Sequence, residues 1–596
     1  MLSDEEAGRL LSGLPDSVFW GGMDQRDLLL ALEKRWASMP RETVSIIETR
    51  LLAGPPVDPN DSDRAPRRAW FAITRLHWLH NHGCKFGFNF ETESARLRAL
   101  APMWQPAFAD NAARSLESQA GYVRTETSFD ALVATPLSGL LARARELSGR
   151  SLEGFVQDDP FAGLVEARPI RAFLALVYSA RHSHDYPDWA WTTFLAPQVR
   201  AKDRPRLACA IARRVARCPA AIRGGLSYAV SAWLQTASPT LAAHCPPALE
   251  DLWTSVIAAL AATPSAIGSA VVRKKDDDPE WVTEALNSPV GKLAEVLMRD
   301  ARLPALKANE EVPPSWLRAV EQLLSLQTPA RQHALAILAH NLNWFAARAP
   351  LWTDQHLIAP LDGDTLDRSA IWAGYFWGAK LPDKSLYEKL KPHLKGLIES
   401  GEVKQHEHVG FLAAMLLDGW QRLDVAGAPR LVSDSEMRDM LLKGGDTFRA
   451  QALWYLERWI EGTDERSGAW ADLLPDFLKD VWPRHRSAKS PKTSARLCDL
   501  AFSNARLFPQ IADIVTELVA SVSDQHLIFA NLQEEDSAII KAHPKQVLAL
   551  LSAILPAEVS KWPYGMEGIL DRLQQADASL PKDERLIELK RRLATG

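Results

Sequence analysis

Apolar positions along this chain recur mostly with a helical period. Leu249, Leu252, Trp253, Val256, Ile257 and Leu260 are spaced i, i+3, i+4, i+7, i+8, i+11, which is one stripe of a helix. Glu250 and Asp251 fall in its first turn, where the positive end of the helix dipole favours acids, and Pro264 is expected to close it. Leu335, Leu338, Leu342 and Phe345 predict a second stripe. Val547, Leu548, Leu550, Leu551, Ile554 and Leu555 predict a third, framed by Pro544 and Pro556. Ser3 with Glu6, and Ser433 with Glu436, have the spacing of capping boxes. Period-two alternation is confined to Phe86, Phe88 and Phe90, so a short hairpin or an extended loop is expected near residues 84–92. Prolines fall mostly between helical stretches, as punctuation rather than kinks.

This pattern predicts an all-α chain with little or no β-structure. The expected form is an irregular α-solenoid or multi-helix array of helix pairs, HEAT-like, with units of about 40 residues. Polar or Pro/Gly-rich joints are expected at residues 54–66, 273–280, 308–315, 424–433 and 461–468. They suggest an N-terminal helical region over 1–110, a central one over 111–275 and a C-terminal helical-repeat region over 276–596.

Composition strengthens the case for a continuous interior. The 21 tryptophans run from Trp20 to Trp562, and each indole buries a large area while its N–H needs a partner. A hydrophobic fraction of 47% with a net charge of −5 is that of an ordinary globular protein. It argues against a surface that grips nucleic acid everywhere, though a local patch remains compatible. From Gly224 to Val272 the only formal charges are Glu250 and Asp251, but Pro239, Pro246, Pro247 and Pro264 are expected to cut this block into pieces too short to span a bilayer. No membrane association is expected. Cys84, Cys209, Cys218, Cys245 and Cys498 are odd in number, widely spaced and without a CxxC pair, which predicts a reduced, buried, cytoplasmic set. The acidic N-terminus MLSDEEAGRLL lacks the basic region of a signal peptide.

Chemistry-bearing motifs are sparse. There is no GxxxxGK[ST] and no GxGxxG, and Val290-Gly291-Lys292 lacks the upstream glycine of a phosphate loop. Gly225-Leu226-Ser227-Tyr228-Ala229 comes nearest to a nucleophile elbow but ends in alanine. His77, His80, His82 and Cys84 have ligand chemistry at short spacing, but no second cluster completes a zinc site, so a helix C-terminus rich in hydrogen-bonded histidine is expected. His182, His184 and Asp185, and His406 with His408 around Glu407, are expected in polar loops or helix starts. Pro382-Asp383 and Glu402-Val403-Lys404 match the letters of a metal nuclease, yet the residues between them are helical where that chemistry needs adjacent strands. Gly374 and Gly378 lie four apart among Trp372, Tyr375, Phe376 and Trp377, a pattern that lets another helix approach closely. The best basic patch runs from Arg200 to Arg223. Within it Arg206, Arg213, Arg214 and Arg217 are the candidate contacts to an anionic partner. No catalytic, cofactor-binding or metal-binding residue is assigned.

The segments EALNSPVGKLAEVLM, HALAILAHNLNWFAARAPLWT, AIWAGYFWGAKLP, DTFRAQALWYLERW, VWPRHRSAKSPKTSARL and KWPYGMEGIL together resemble the uncharacterised helical C-terminal region that bacteria append to sirtuin-like NAD-consuming modules of anti-phage defence proteins. The resemblance covers the chain from about residue 280 onward and, more weakly, its N-terminal half. Because the NAD-cleaving residues of such proteins lie in the sirtuin-like part, it carries over no catalytic residue and no cofactor. It implies a sensor or scaffold module that binds a protein partner and works with a separately encoded effector. The expected function is therefore a non-catalytic helical scaffold or sensor. The alternative is a nucleic-acid-binding protein or an enzyme, with a site assembled from residues 200–223 and the histidine clusters.

Overall fold

The computed structural model describes residues 3–21, 25–57, 64–102, 104–110, 112–113, 124–151, 156–263, 269, 271, 278–307, 310, 312–401, 403, 406–422, 430–462, 465–522 and 529–595. Among the described residues the chain is all-α: 74% of them are helical and 1% are in strands. The few extended residues form β1 (Arg124–Glu126), β2 (Gly149–Ser151) and β3 (Val156–Asp158), a sheet in the order β1-β3-β2. The sequence pattern carries no strand signal at these positions. The Phe86-Phe88-Phe90 run, where alternation does occur, is a loop leading into the helix Phe90–Leu100. Its Phe86 and Phe88 rings stack at 4.9 Å and Phe86 meets Trp36 edge-on at 5.4 Å, so the alternation serves ring packing rather than strand pairing.

Contacts divide the chain into two compact units. One comprises Met1–Arg124 with Arg150–Gln157, and the other Thr125–Gly149 with Asp158–Gly596. The first unit has its own core, built on Phe19, Leu29, Leu32, Ile47, Leu51, Ile73 and Leu79. Arg75 lies inside it, donating to the Phe19 carbonyl and to Gln25 Oε1 with its guanidinium 4.3 Å over the Trp20 ring. Burial lowers its pKa to about 10. The expected capping box opens this unit, with Glu6 N donating to Ser3 Oγ at 3.3 Å and Ser3 N to Glu6 Oε2 at 2.9 Å.

In the second unit one hydrophobic core extends from Leu132 to Leu589. Many of its helices pack against the helix two or three places on. Ser227–His244 meets Pro289–Met298, which meets Ala330–Ala339, which meets Thr365–Gly378. Further along, His406–Gln421 meets Gly445–Ile460, which meets Pro491–Ser503. Proline commonly opens these helices at the first turn, as at Pro205, Pro246, Pro289, Pro491 and Pro544, where its missing N–H has no helical partner to lose. The second capping box forms at Ser433 and Glu436.

Among the described residues three prolines depart from the expectation of punctuation: Pro239, Pro392 and Pro475 lie inside helices. Pro239 in particular does not cut the uncharged block. The 18-residue helix Ser227–His244 runs through it, held on both sides by buried Val230, Trp233, Leu234, Ala237 and Leu241. That anchoring offsets the lost backbone bond. Among the described residues no helix is long and apolar enough to cross a membrane. The stripe Leu335 to Phe345 is likewise two helices, Ala330–Ala339 and Leu342–Arg348, parted where the Asn341 carbonyl accepts from Trp344 and Phe345 N–H and starts a new turn. Pro264 lies outside the described residues, and the helix it was expected to close ends at Ala262.

One tight joint is the expected one at Gly374 and Gly378. A Cβ on Gly374 would overlap the Ala336 carbonyl oxygen, and one on Gly378 would come within 2.8 Å of the His340 carbonyl oxygen. Side-chain pairs flank this backbone contact. Arg331 Nε and Gln332 Nε2 each donate to Asp367 at 2.7 Å, and Trp281 Nε1 donates to Ser369 Oγ at 3.1 Å. Glu284 lies 3.7 Å from the ring of the fully buried His333. Replacing Gly374 with alanine is expected to destabilise the fold by about 2 kcal/mol. Gly396 sits in an exposed helix interior with open space around it, so Gly396→Ala is expected to stabilise by about 0.5–1 kcal/mol. Thermal unfolding followed by circular dichroism checks the pair, whose midpoints should move in opposite directions.

Candidate functional site

The basic segment is organised by the amphipathic helix Pro205–Ala216. Ala208, Cys209, Ile211, Ala212 and Val215 are buried, against the helices Ser227–His244 and Pro246–Ala262. At 100° per residue, Arg206, Arg213 and Arg217 then fall within about 40° of arc on the opposite face. All three are exposed, and none of their guanidinium groups makes a hydrogen bond or ion pair among the described residues. Arg214, the fourth candidate, turns aside: its Nη2 donates to Tyr186 Oη at 3.3 Å and its guanidinium lies 5.7 Å from that ring.

Other cations of the segment hold structure together. Arg200 is buried, donating to the Val165 carbonyl at 2.9 Å and pairing with Asp203 at 3.3 Å, with its guanidinium 4.5 Å over Phe194. Burial lowers its pKa against the opposing pull of Asp203. Arg223 donates to the carbonyls of Ala216, the last residue of the basic helix, and Cys218, and to the Ser255 carbonyl. Placement of Arg213 and Arg214 in the last turn also suits the helix dipole.

The cysteine expectation requires correction. Cys209 and Cys245 form a disulfide across a sequence separation of 36, while Cys84, Cys218 and Cys498 are free and buried. Wide spacing hid this pair, because its two sulfurs meet only once the helix Pro205–Ala216 packs against the start of the helix Pro246–Ala262. The cysteine pattern therefore does not argue for a reducing compartment.

The histidine clusters are engaged in packing. His77 Nε2 lies 2.7 Å from Ser94 Oγ, with its ring 4.9 Å from Phe90 and 4.6 Å from Trp104. Desolvation lowers its pKa, helped by Arg98. His80 stacks on Phe90 at 3.8 Å and His82 on Trp78 at 3.8 Å. Cys84 beside them is buried, which pushes its thiol up to about 11. His182 stacks on Tyr178 at 4.0 Å, and His406 Nε2 meets Gln451 Nε2 at 2.7 Å. Desolvation lowers the pKa of His408. Among the described residues no three His, Cys, Asp or Glu are grouped to hold a metal ion. Asp383 caps the helix Lys384–Ser400, accepting from Leu386 N at 2.9 Å. Glu402 and Lys404 lie outside the described residues.

Sequence reasoning passed over two features. Glu457 and Asp499, on the adjacent helices Gly445–Ile460 and Pro491–Ser503, lie 3.8 and 3.7 Å from Arg496 Nη1. Burial outweighs that cation for both. It raises Glu457 and, with the Glu457 charge, carries Asp499 to about 6. Nothing in sequence spacing joins residues 42 positions apart. The second is the helix Pro169–His182, which leaves Ile170 and Leu174 exposed at 64% and 47%. Here a signal existed, since IRAFLALVY is apolar nearly all the way round.

The chain matches no protein-family model, no curated protein and no solved structure.

Two outcomes follow from this geometry. Raised above its unfolded value, the Asp499 pKa makes a contribution that is full below about pH 4 and is lost as pH rises through about 6. Asp499→Asn should therefore raise the melting temperature at pH 7.5 and have a smaller effect at pH 4.5, as differential scanning calorimetry reads. Cleaving the Cys209–Cys245 bond with dithiothreitol, or Cys209→Ser with Cys245→Ser, is expected to cost about 2–4 kcal/mol of stability. An unchanged melt under reductant would contradict this.

Proposed function

We propose that this chain is a non-catalytic recognition scaffold, an irregular HEAT-like helical array that holds the negatively charged surface of a protein partner. The observation that carries this reading is the row Arg206, Arg213 and Arg217, exposed and without a partner among the described residues. Guanidinium groups with no internal bond to break are available for charge-assisted, bidentate contacts to carboxylates. Their helix is tied down by its apolar face and by the Cys209–Cys245 bond, so little order has to be gained on binding. The resemblance to helical regions appended to sirtuin-like modules supports a place in bacterial anti-phage defence, as a sensor for a separately encoded effector.

The same row supports a second reading, nucleic-acid binding. Three phosphate contacts would give a slope of log affinity against log salt of about −2.7 on duplex DNA. Affinity capture from phage-infected cells, followed by mass spectrometry and binding with the purified candidate, tests the first reading. Wild type should retain a protein that the Arg213→Glu, Arg217→Glu double variant loses. Salt-dependent DNA or RNA binding by the same pair of proteins, with no protein retained, would replace it with the second.

A further inference from the structure

We infer that the docking surface continues from the arginine row onto the outward face of the helix Pro169–His182, and that together they take an acidic amphipathic helix. This rests on the protein-recognition reading above and names the chemistry of the partner.

The helix Pro169–His182 buries Ala172, Ala175, Leu176 and Ala180, against the helices Leu137–Leu147 and Pro160–Ala167. Its other side, where a surface helix ordinarily carries polar residues, presents Ile170, Leu174 and Tyr178 at i, i+4, i+8. Ile170 and Leu174 are exposed and Tyr178 is half-buried. The Tyr178 ring stacks on His182 and extends this ridge to the end of the helix. There the chain folds back, with Asp185 N donating to the Ser179 carbonyl at 3.4 Å. Tyr186 follows immediately and accepts the bond from Arg214. Arg214 lies beside Arg213 in the last turn of the basic helix. Arg214 thus ties the basic helix to the loop that follows the apolar ridge.

Charge selects the occupant. Over residues 166–217 the exposed cations, Arg181, Arg206, Arg213 and Arg217 among them, outnumber the exposed carboxylates of Glu166, Asp185 and Asp188. A straight i, i+4 ridge fits the groove of a partner helix, whose apolar stripe covers Ile170, Leu174 and Tyr178 while its carboxylates reach Arg213 and Arg217. A second copy of this chain fits less well. Pairing about a twofold axis would set arginine against arginine or against the apolar ridge. An anionic bilayer favours apolar and cationic groups on one helix, whereas here they lie on two.

The probe is a library of random peptides of about 16 residues, four helical turns, displayed on yeast and sorted against the full-length chain. Enriched peptides should carry Asp or Glu beside an apolar i, i+4, i+7 stripe. In fluorescence anisotropy they should bind wild type, lose at least about tenfold in affinity on Ile170→Glu with Leu174→Asp, and lose affinity and salt dependence on Arg213→Glu with Arg217→Glu. Both changes sit on exposed positions, and an unaltered melting curve confirms that each variant folds. The proposal is overturned by a library that yields no enrichment, by neutral or basic winners, or by peptides indifferent to the Ile170/Leu174 change. It is also overturned by tighter binding to phosphatidylserine-rich vesicles or duplex DNA, or by a dimer that the apolar change dissolves. If the Ile170/Leu174 variant still captures the protein partner of wild type from infected cells, recognition stands and only this surface falls.

Discussion

Helices that touch through their backbones have no side chains with which to adjust their spacing. That is the situation at Gly374 and Gly378, where the helix Thr365–Gly378 lies against the carbonyls of Ala336 and His340. Protein interiors are close-packed, so a contact this short fixes both distance and rotation. Polar bonds then lock the sliding coordinate: Asp367 accepts from Arg331 and Gln332, and Trp281 donates to Ser369. The neighbouring helices Pro289–Met298 and His406–Gln421 inherit their placement from this pair. In the helix His406–Gln421 every residue from Val409 to Trp420 is buried.

Tryptophan extends the same logic along the unit. Trp316 donates to the Leu297 carbonyl and Trp420 to Asp434, each joining two elements by a bond as well as by area. Trp420 also stacks on Trp470 at 5.6 Å, with Arg430 3.8 Å over its ring. The indoles of Trp191, Trp253, Trp372 and Trp470 are buried with no bond to their N–H among the described residues. Ring area, not hydrogen bonding, keeps those four inside.

Much of the fold was legible because helical periodicity, capping boxes and first-turn prolines are local signals. The stripe at Pro544–Ile554, the boxes at Ser3 and Ser433 and the glycine pair at Gly374 all depend on residues a few positions apart. What escaped depends on distance or on compensation. Pro239 looked like a break because its neighbours' burial is invisible in one dimension. Cys209 and Cys245 looked unpaired because 36 positions separate them. Of the four arginines singled out, Arg206, Arg213 and Arg217 share one exposed helix face. The turn of Arg214 toward Tyr186 depends on a loop that helix geometry alone does not place.

The Cys209–Cys245 link encloses the basic helix beyond Cys209, the short helix Ala220–Gly225 and the whole helix Ser227–His244. A peptide bond hydrolysed anywhere inside that enclosure leaves the two resulting pieces covalently joined. A protease cutting beside Arg213 or Arg217 would therefore leave a molecule that migrates as one species until its sulfurs are separated. The basic helix would stay attached to the body of the protein after its chain had been severed.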